Sequence, residues 1–294
     1  MSYRVKKAAV LGSGVMGSGI ACHLANVGID VLMLDIQPND KSIKNKNFIA
    51  DESLKNAIKS RPNPLYKKEY ASRVTTGNFD DDFEKIKDAD WIIEVIVENL
   101  EIKKTVFEKV EKYKSDHAFV TSNTSSIPIS LLCEGRSDDF KSKFCGTHFF
   151  NPPRYLRLFE VIPHTDSDPS LISFLMEFGD VILGKQTVLC KDTPGFIGNR
   201  IGVMCGIKSS QLTEKYNFKI EEVDLMTGSV IGLPNSGTFR LQDLVGLDTS
   251  NNVTNFLVNN VEGDTFYSKL KDQPENKPFN FLIENKFFGN KSGK

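Results

Sequence analysis

The sequence has no long hydrophobic run and almost no net charge. No apolar stretch in its 294 residues approaches the ~20 residues that span a bilayer, so no membrane-spanning helix is expected. Lys plus Arg number 37 and Asp plus Glu number 38, a net charge of −1, which argues against a nucleic-acid or membrane-surface role. Because 39% of the residues are hydrophobic, the chain can bury the core of a globular protein.

Cysteine and histidine are also scarce. The five cysteines never form a CxxC pair, so the sequence predicts no metal site and favours buried thiols in a reducing, cytoplasmic compartment. The chain has only four histidines. One of them, His148, lies in the apolar stretch CGTHFFNPPRYLRLFEVI (residues 145–162), and a carboxylate, Glu160, follows twelve positions later beyond a Pro-Pro turn.

Short buried strands alternate with helices over the first two thirds of the chain, which indicates a Rossmann-type doubly wound α/β sheet. The predicted strands are residues 7–11, 31–34, 74–76, 91–97, 119–122, two strands within 145–162, and 188–191. The predicted helices follow the glycine motif described next and cover 41–60, 101–113 and 171–182. The alternation stops near Thr193, which can cap a helix that begins at Pro194, and the remainder is typical of helices. We therefore predict a Rossmann domain over 1–191 and a mostly α-helical domain over 192–294.

The glycine motif GSGVMG (residues 12–17) lies between a predicted strand and a predicted helix. Asp35 follows Gly17 by eighteen residues, at the end of the next strand. This context is typical of a dinucleotide site, in which the helix N-terminus binds the pyrophosphate and the acid binds the ribose. Asp35 would also repel a 2′-phosphate, so we predict NAD rather than NADP. The alternatives are flavin binding and a purely structural turn. The expected contacts are Gly12, Gly14, Val15, Met16, Gly17 and Asp35.

Polar side chains follow the predicted strand ends, where ligands bind in an open α/β sheet. They are Glu98 and Asn99 after one strand, Asn123 to Ser126 after the next, and His148 and Asn151 after the third. We expect His148 to face the cofactor and Glu160 to fix its tautomer, so that the imidazole can take a proton from an alcohol. The alternatives are a core histidine and an ion pair of Glu160 with Arg154 or Arg157.

The sequence resembles the 3-hydroxyacyl-CoA dehydrogenases of fatty-acid β-oxidation along its whole length. The segments that carry the resemblance are AAVLGSGVMGSGIA, IIEVIVENLEIKK, SNTSS, GTHFFNPPRYLRLFEVI, CKDTPGFIGNR and LQDLVGLD. The resemblance implies NAD-dependent oxidation of L-3-hydroxyacyl-CoA to 3-oxoacyl-CoA. It also implies an NAD-binding Rossmann domain followed by a helical substrate-binding and dimerisation domain, usually paired as a homodimer.

The resemblance assigns a role to individual residues. It implies that His148 is the catalytic base with Glu160 as its partner, and that Ser125 and Asn199 hold the substrate and the reacting oxygen. The cofactor contacts that we expect beyond the glycine motif and Asp35 are Glu98, Lys103, Asn123, Ser125, Asn151 and Lys291.

The sequence departs from the family pattern after HFFN. Pro-Val-Pro-Val-Met-Lys is common there, whereas this chain has Pro152-Pro153-Arg154-Tyr155-Leu156-Arg157, and SGTF (236–239) replaces a common Gly-Pro-Phe. These features are typical of a subgroup in which the dehydrogenase leads a longer polypeptide, so we expect a fused enoyl-CoA hydratase region outside this chain.

One segment of the chain is strongly basic. Residues 41–73, here called the arm, contain nine Lys or Arg and three Asp or Glu, which suits the phosphates of an acyl-CoA substrate but also a solvated helix face. The alternative functions are a reductive 3-hydroxybutyryl-CoA dehydrogenase and a nucleotide-binding protein of this fold without catalysis.

Overall fold

The structure is a computed structural model that describes residues 3–271 and 277–293. The chain divides into two compact units, Met1–Asp192 and Thr193–Lys294. The first unit contains an eight-stranded sheet, and the second is built from helices in the part of the chain that the structure describes. No helix among the described residues is both long and apolar enough to cross a membrane.

The sheet of the first unit confirms the predicted doubly wound α/β fold. Its strands are β1 (Lys7–Leu11), β2 (Asp30–Asp35), β3 (Val74–Asn78), β4 (Trp91–Glu94), β5 (Phe119–Ser122), β6 (Phe144–Phe149), β7 (Leu158–Ile162) and β8 (Gln186–Leu189). They lie in the order β3-β2-β1-β4-β5-β6-β7-β8. All neighbours are parallel except β6 and β7, which the short Pro-Pro connection joins as an antiparallel pair. The carboxyl ends of β1 to β6 therefore meet at one edge of the sheet.

Six helices flank this sheet. They are α1 (Val15–Asn26), α2 (Phe48–Lys59), α3 (Leu100–Tyr113), α4 (Ile129–Leu132), α5 (Asp138–Ser142) and α6 (Pro169–Val181). The side chain of Asn99 caps α3 by accepting from the backbone N–H of Ile102 at 3.1 Å, as expected for an N-cap residue. Asp168 caps α6 in the same way, with Pro169 in the first turn, where a missing N–H does no harm.

The strands are buried on both faces, which explains why they read as continuous apolar runs. Trp91 lies at the centre, stacked on Phe119 with ring centroids 5.6 Å apart. Its indole N–H donates to the hydroxyl of Thr121 at 2.9 Å, so no polar atom of the ring is left unsatisfied. Replacing Trp91 by Ala would cost about 3–5 kcal/mol of stability by the usual loss for a large buried side chain.

Three sequence-based boundaries were wrong, each for a local reason. The helix predicted over 41–60 begins only at Phe48, because Asp40 and Asn45 bond to backbone N–H groups two residues on and hold turns there. The helix predicted from Pro194 begins at Gly198, because Phe196 has a φ of 48° that no α-helix can contain.

The strand predicted over 91–97 ends at Glu94. Beyond it, the carboxylate of Glu94 accepts from the N–H of Ile96 at 2.8 Å, so the side chain replaces a ladder bond and the chain turns out of the sheet.

Helices α4 and α5 were not predicted, since four or five residues carry too little periodicity.

The second unit is mostly helical, as predicted. Its helices are α7 (Gly198–Tyr216), α8 (Ile220–Met226), α9 (Phe239–Val245), α10 (Leu247–Asn260), α11 (Thr265–Leu270) and α12 (Lys277–Glu284). Leu257, Val261 and Tyr267 form a small core, and the hydroxyl of Tyr267 donates to the carbonyl oxygen of Arg200 at 2.5 Å. That bond ties α11 to the start of α7.

Candidate active site

The glycine motif forms a tight turn between β1 and α1. Gly12 has a φ of 106°, and a Cβ on it would lie 2.5 Å from the carbonyl oxygen of Val95, so only glycine fits. A Cβ on Gly17 would collide with the carbonyl oxygen of Gly12. At Gly14, which precedes α1, a Cβ would meet nothing within 4 Å. The open space at Gly14 leaves the first N–H groups of a twelve-residue helix accessible to an anion.

Asp35 lies beside this turn, at the end of β2. Its Oδ2 accepts from both the N–H and the hydroxyl of Ser13, each at 2.6 Å, and its Oδ1 accepts from the N–H of Ile36 at 2.7 Å. A carboxylate offers about four lone-pair sites, so Asp35 can still accept from the hydroxyls of a sugar. Exposed apolar side chains follow the neighbouring strand ends, at Val15, Ile36 and Val97, and suit a flat aromatic ring.

Glu98 organises the loop that follows β5. Its Oε1 accepts from the hydroxyls of Thr124 and Ser126 at 2.6 and 2.7 Å. The same atom accepts from the N–H groups of Ser125 and Ser126, both at 3.0 Å. The hydroxyl of Ser125 makes no hydrogen bond to any residue that the structure describes, so it can bind a ligand. The predicted residues Glu98 and Ser125 are thus held together.

Lys103 is buried beneath this loop, and its partner Glu94 is a residue that sequence reasoning missed. Lys103 is 1% exposed and Glu94 is fully buried. The ammonium of Lys103 lies 2.5 Å from Oε1 of Glu94 and 3.3 Å from Oε2 of Glu98. The other oxygen of Glu94 accepts from the hydroxyl of Ser122 at 2.5 Å. The available signal was a carboxylate inside the apolar run WIIEVIV.

The two carboxylates that share Lys103 differ in pKa. Burial raises the pKa of Glu94, against the charge of Lys103 and the hydrogen bonds that it accepts. Burial acts in the same direction on Glu98, but there the charge of Lys103 and the bonds from Thr124 and Ser126 outweigh it and lower the pKa. Glu98 therefore carries a full negative charge at neutral pH, which keeps the loop fixed.

His148 and Glu160 are neighbours across the antiparallel pair of β6 and β7. Nδ1 of His148 lies 2.6 Å from Oε2 of Glu160, and the two residues oppose each other in the strand register. His148 is 5% exposed and Glu160 is fully buried. When Nδ1 donates to Glu160, the neutral ring carries its proton there, and Nε2 is the basic atom. The structure gives Glu160 neither alternative partner: Arg154 donates to backbone carbonyls, and Arg157 is exposed.

The remaining predicted residues lie at the same edge of the sheet or in the second unit. Oδ1 of Asn123 accepts from the N–H of Phe149 at 2.9 Å, which ties the ends of β5 and β6, and Asn151 is exposed in the turn that leaves β6. Asn199 lies in the first turn of α7. Lys291 pairs with Asp248 at 2.5 Å within the second unit. Met16 lies in the first turn of α1.

Comparison with protein families covers nearly the whole chain. Residues 7–193 match the model "3-hydroxyacyl-CoA dehydrogenase, NAD binding domain", and residues 195–294 match "3-hydroxyacyl-CoA dehydrogenase, C-terminal domain". The chain belongs to the 3-hydroxyacyl-CoA dehydrogenase family. This confirms the resemblance read from the motifs, and it makes NAD the cofactor.

Two relatives illustrate how this family member compares with curated proteins. The "Probable 3-hydroxyacyl-CoA dehydrogenase" of Bacillus subtilis is 49% identical over 276 residues, which cover 90% of this chain but only 35% of that protein. The protein of the same name from Deinococcus radiodurans is 47% identical over 250 residues, covering 85% of this chain and 72% of that one. The chain thus spans about a third of the length of the first relative.

A solved structure of the family has the same fold. The (S)-3-hydroxybutyryl-CoA dehydrogenase PaaH1 from Ralstonia eutropha superposes with a TM-score of 0.76 at 25% identity, covering 99% of this chain and 98% of that one.

The residues of the first unit fit NAD. The space beside Gly14 and the start of α1 accommodates a pyrophosphate, because a Cβ at Gly14 would meet no atom within 4 Å. Asp35 offers a charged acceptor next to that turn. Both features belong to unit one, where the family's NAD-binding domain was matched.

Proposed function

We propose that this 3-hydroxyacyl-CoA dehydrogenase oxidises L-3-hydroxyacyl-CoA to 3-oxoacyl-CoA in fatty-acid β-oxidation, with His148 as the general base. The observation that carries the proposal is the 2.6 Å contact between Nδ1 of His148 and Oε2 of Glu160, at the sheet edge that also holds the glycine motif. NAD, when bound, supplies the acceptor for the hydride that leaves C3 of the substrate.

The proton follows a separate route through the side chains. Nε2 of His148 takes the proton of the C3 hydroxyl as the carbon–oxygen double bond forms. The buried carboxylate of Glu160 stabilises the resulting imidazolium and holds the ring in one tautomer. Ser125 contributes a hydroxyl for the reacting oxygen or the thioester carbonyl.

The cofactor contacts divide by their position along the sheet edge. Gly12, Gly14, Val15, Met16 and Gly17 surround the start of α1 and hold the pyrophosphate. Asp35 holds the adenosine ribose. The residues that would hold the nicotinamide half are Glu98, Ser125, Asn123 and Asn151, because they offer polar groups at the ends of β4, β5 and β6. Lys103, which is buried, acts by fixing Glu98.

The arm is proposed to bind the phosphates of the acyl-CoA substrate. It carries a net charge of +6 from nine basic and three acidic residues in a protein of net charge −1. In the structure, Lys44 and Lys59 form no ion pair with any described carboxylate. Lys46, in contrast, pairs with Asp81 at 2.9 Å. The unpaired ammonium groups are available for phosphate.

The second unit is proposed to form a homodimer. Its longest helix, α7, has no buried residue along its 19 positions, although apolar side chains recur on it. Exposed apolar residues continue on the next elements, where Leu225 and Val230 are 72% and 73% exposed. Apolar surface of this extent is typical of an interface.

A fused enoyl-CoA hydratase region is proposed for the parent polypeptide, since the Bacillus subtilis relative is about three times as long as the match.

A cytoplasmic location is proposed from the thiols. Four cysteines, Cys22, Cys133, Cys145 and Cys190, are buried. Burial raises the pKa of Cys22 to about 12 and that of Cys133 to about 11, so these thiols are unreactive and suit a reducing compartment.

The test is steady-state turnover by the purified chain. We expect NADH to form from (S)-3-hydroxybutyryl-CoA and NAD, with little reaction of the (R) enantiomer or of NADP. A series of substrates from four to sixteen acyl carbons separates the functions. For an oxidative enzyme of fatty-acid breakdown, kcat/KM stays high for acyl chains longer than four carbons. For a dedicated 3-hydroxybutyryl-CoA reductase, kcat/KM falls once the acyl chain exceeds four carbons. NAD binding in calorimetry without turnover in either direction would leave only a catalytically silent nucleotide-binding protein.

A further inference from the structure

The turn of residues 152–156, here called the proline turn, connects the two strands that carry His148 and Glu160. Lys185, which is 4% exposed, holds it from the inside by donating to the carbonyl oxygens of Leu156, at 2.7 Å, and Pro153. Pro153 is buried against α1, since a Cβ on Gly19 would come within 3.0 Å of its ring. The proline turn is thus fixed to both α1 and the start of β8.

Arg154 extends from this fixed turn in the opposite direction, towards the arm. Its Nη1 donates to the carbonyl oxygens of Asn63 and Leu65 at 2.6 and 2.9 Å. Its guanidinium also lies over the rings of Tyr66 and Tyr155, at 4.5 and 4.9 Å from their centroids. A planar group that donates twice and stacks twice holds one geometry, as a lysine could not.

The two residues whose carbonyl oxygens accept from Arg154 lie shortly after the end of α2. The amide of Asn63 donates to the carbonyl oxygen of Ile58, in the last turn of α2, at 2.7 Å. Tyr155 adds a bond from its hydroxyl to the carbonyl oxygen of Asn63 at 3.0 Å. A continuous chain of contacts therefore runs from the strand of His148, through the proline turn, to the helix of the arm.

We propose that Arg154 is a positioning residue, which fixes the arm relative to the strand of His148 and so sets the affinity for the nucleotide part of acyl-CoA. The inference rests on the proposed binding of acyl-CoA phosphates by the arm. Arg154 acts through the carbonyl oxygens of Asn63 and Leu65, and not by touching the substrate.

The chain offers a matched control three residues away. Arg157 lies in the same connection, is exposed, and has no ion pair with any described carboxylate. Arg154→Met and Arg157→Met remove the same charge from the same connection, but only the first removes the contact with the arm.

The experiment compares a whole and a truncated substrate in the reductive direction. Acetoacetyl-CoA carries the nucleotide phosphates, and acetoacetyl-pantetheine lacks them. We expect Arg154→Met to raise the KM for acetoacetyl-CoA about tenfold, because the arm is no longer held in the position that binds the phosphates. The KM values for acetoacetyl-pantetheine and NADH and the value of kcat should stay within about twofold, as should every constant of Arg157→Met.

Hydrogen exchange supplies a readout without substrate. The amides of residues 58–66 should exchange faster in Arg154→Met than in the wild type or in Arg157→Met. The variant Arg154→Lys keeps the charge but loses the planar fork, so it should show an intermediate KM together with intermediate exchange. It also serves as the test if Arg154→Met does not fold.

Three results would overturn the inference. Equal KM increases for the two thioesters would show a general defect of the site. Unchanged exchange in residues 58–66, or full recovery of the KM in Arg154→Lys while exchange stays fast, would assign Arg154 to direct contact with phosphate. If the wild-type enzyme has the same KM for both thioesters, the arm does not bind the nucleotide phosphates. That result would contradict the proposed function itself, and it can be seen before any variant is made.

Discussion

Nδ1 of His148 lies 2.6 Å from Oε2 of Glu160, and the two residues face each other directly in the antiparallel register of β6 and β7. Side chains alternate between the two faces of a strand, so a slip of one residue in either strand would turn the partners to opposite faces. The short proline turn fixes the register. The pair is therefore as well determined as the sheet itself.

The rate of oxidation should depend on Glu160. The imidazolium that forms at His148 during the reaction loses its buried partner in Glu160→Gln, so we expect kcat to fall while the KM values for acyl-CoA and NAD change little. Steady-state kinetics of the wild type and the variant check this. An unchanged kcat would show that Glu160 does not act on the ring.

Asp35 should decide between NAD and NADP. Asp35→Ala removes an acceptor for the ribose and a charge that repels a 2′-phosphate, so we expect NAD to bind about tenfold more weakly while the difference between NAD and NADP narrows. Because Ser13 donates two bonds to Asp35, the substitution also loosens the glycine turn. Ser13→Ala removes the hydroxyl bond and leaves the charge of Asp35, so it should weaken the binding of NAD and of NADP by the same factor. An equal loss for both cofactors in Asp35→Ala would make Asp35 purely structural.

The lysines of the arm separate into two matched pairs. Lys46 and Lys55 each contact a carboxylate, at 2.9 and 2.7 Å, whereas Lys44 and Lys59 have no such partner among the described residues. Lys44→Gln with Lys59→Gln should raise the KM for acyl-CoA more than Lys46→Gln with Lys55→Gln, and the difference should grow at low salt. The KM for NAD should stay constant. Equal KM values at every ionic strength would assign all four lysines to a solvated face.

His23 should reduce the stability of the protein in acid. Burial, aided by the charges of Lys185 and Arg154, lowers its pKa from 6.5 to about 4, and Nδ1 of its ring has no hydrogen-bond partner among the described residues. Between these two pH values the unfolded chain binds the proton more tightly, so the free energy of unfolding falls as the pH drops from 6.5 to about 4. The total is on the order of 3 kcal/mol.

Urea unfolding of His23→Gln between pH 7 and pH 4.5 measures this contribution, since glutamine can still donate to the carbonyl oxygen of Leu183. The variant should lose less stability in acid than the wild type. His117→Gln, at an exposed histidine, is the control and should retain the full loss. Parallel curves for wild type and His23→Gln would contradict the prediction.

The parts of the fold that sequence predicted well are those determined by neighbours along the chain. The strand β1, the glycine turn, α1 and Asp35 follow one another within thirty residues, and each step has a local signal. The pairing of His148 with Glu160 was predictable because a Pro-Pro turn joins two apolar strands. The roles of Asn199 and Lys291 came only from the family resemblance, and no local pattern points to them.

Contacts between distant segments left no signal in the sequence. The sequence leaves Arg154 as an alternative partner of Glu160. In the structure Arg154 instead contacts Asn63 and Leu65, about ninety residues earlier, and no sequence pattern indicates that contact. Lys103 was expected to reach the cofactor, and only the structure shows the buried carboxylate of Glu94 that holds its ammonium. Neither contact could be predicted from the sequence, since side-chain partners across a sheet depend on packing rather than on local order.

The most direct test of the account is a double-mutant cycle on the two residues that face each other across β6 and β7. We predict that His148→Ala reduces kcat by at least ~10²–10⁴-fold, typical of a lost acid–base group, with NAD affinity in calorimetry nearly unchanged. Because Glu160 acts only through that imidazole, the double variant His148→Ala with Glu160→Gln should be no more than about twofold slower than His148→Ala alone. If the two losses multiply in the double variant, Glu160 acts independently of His148 and the proposed mechanism is wrong.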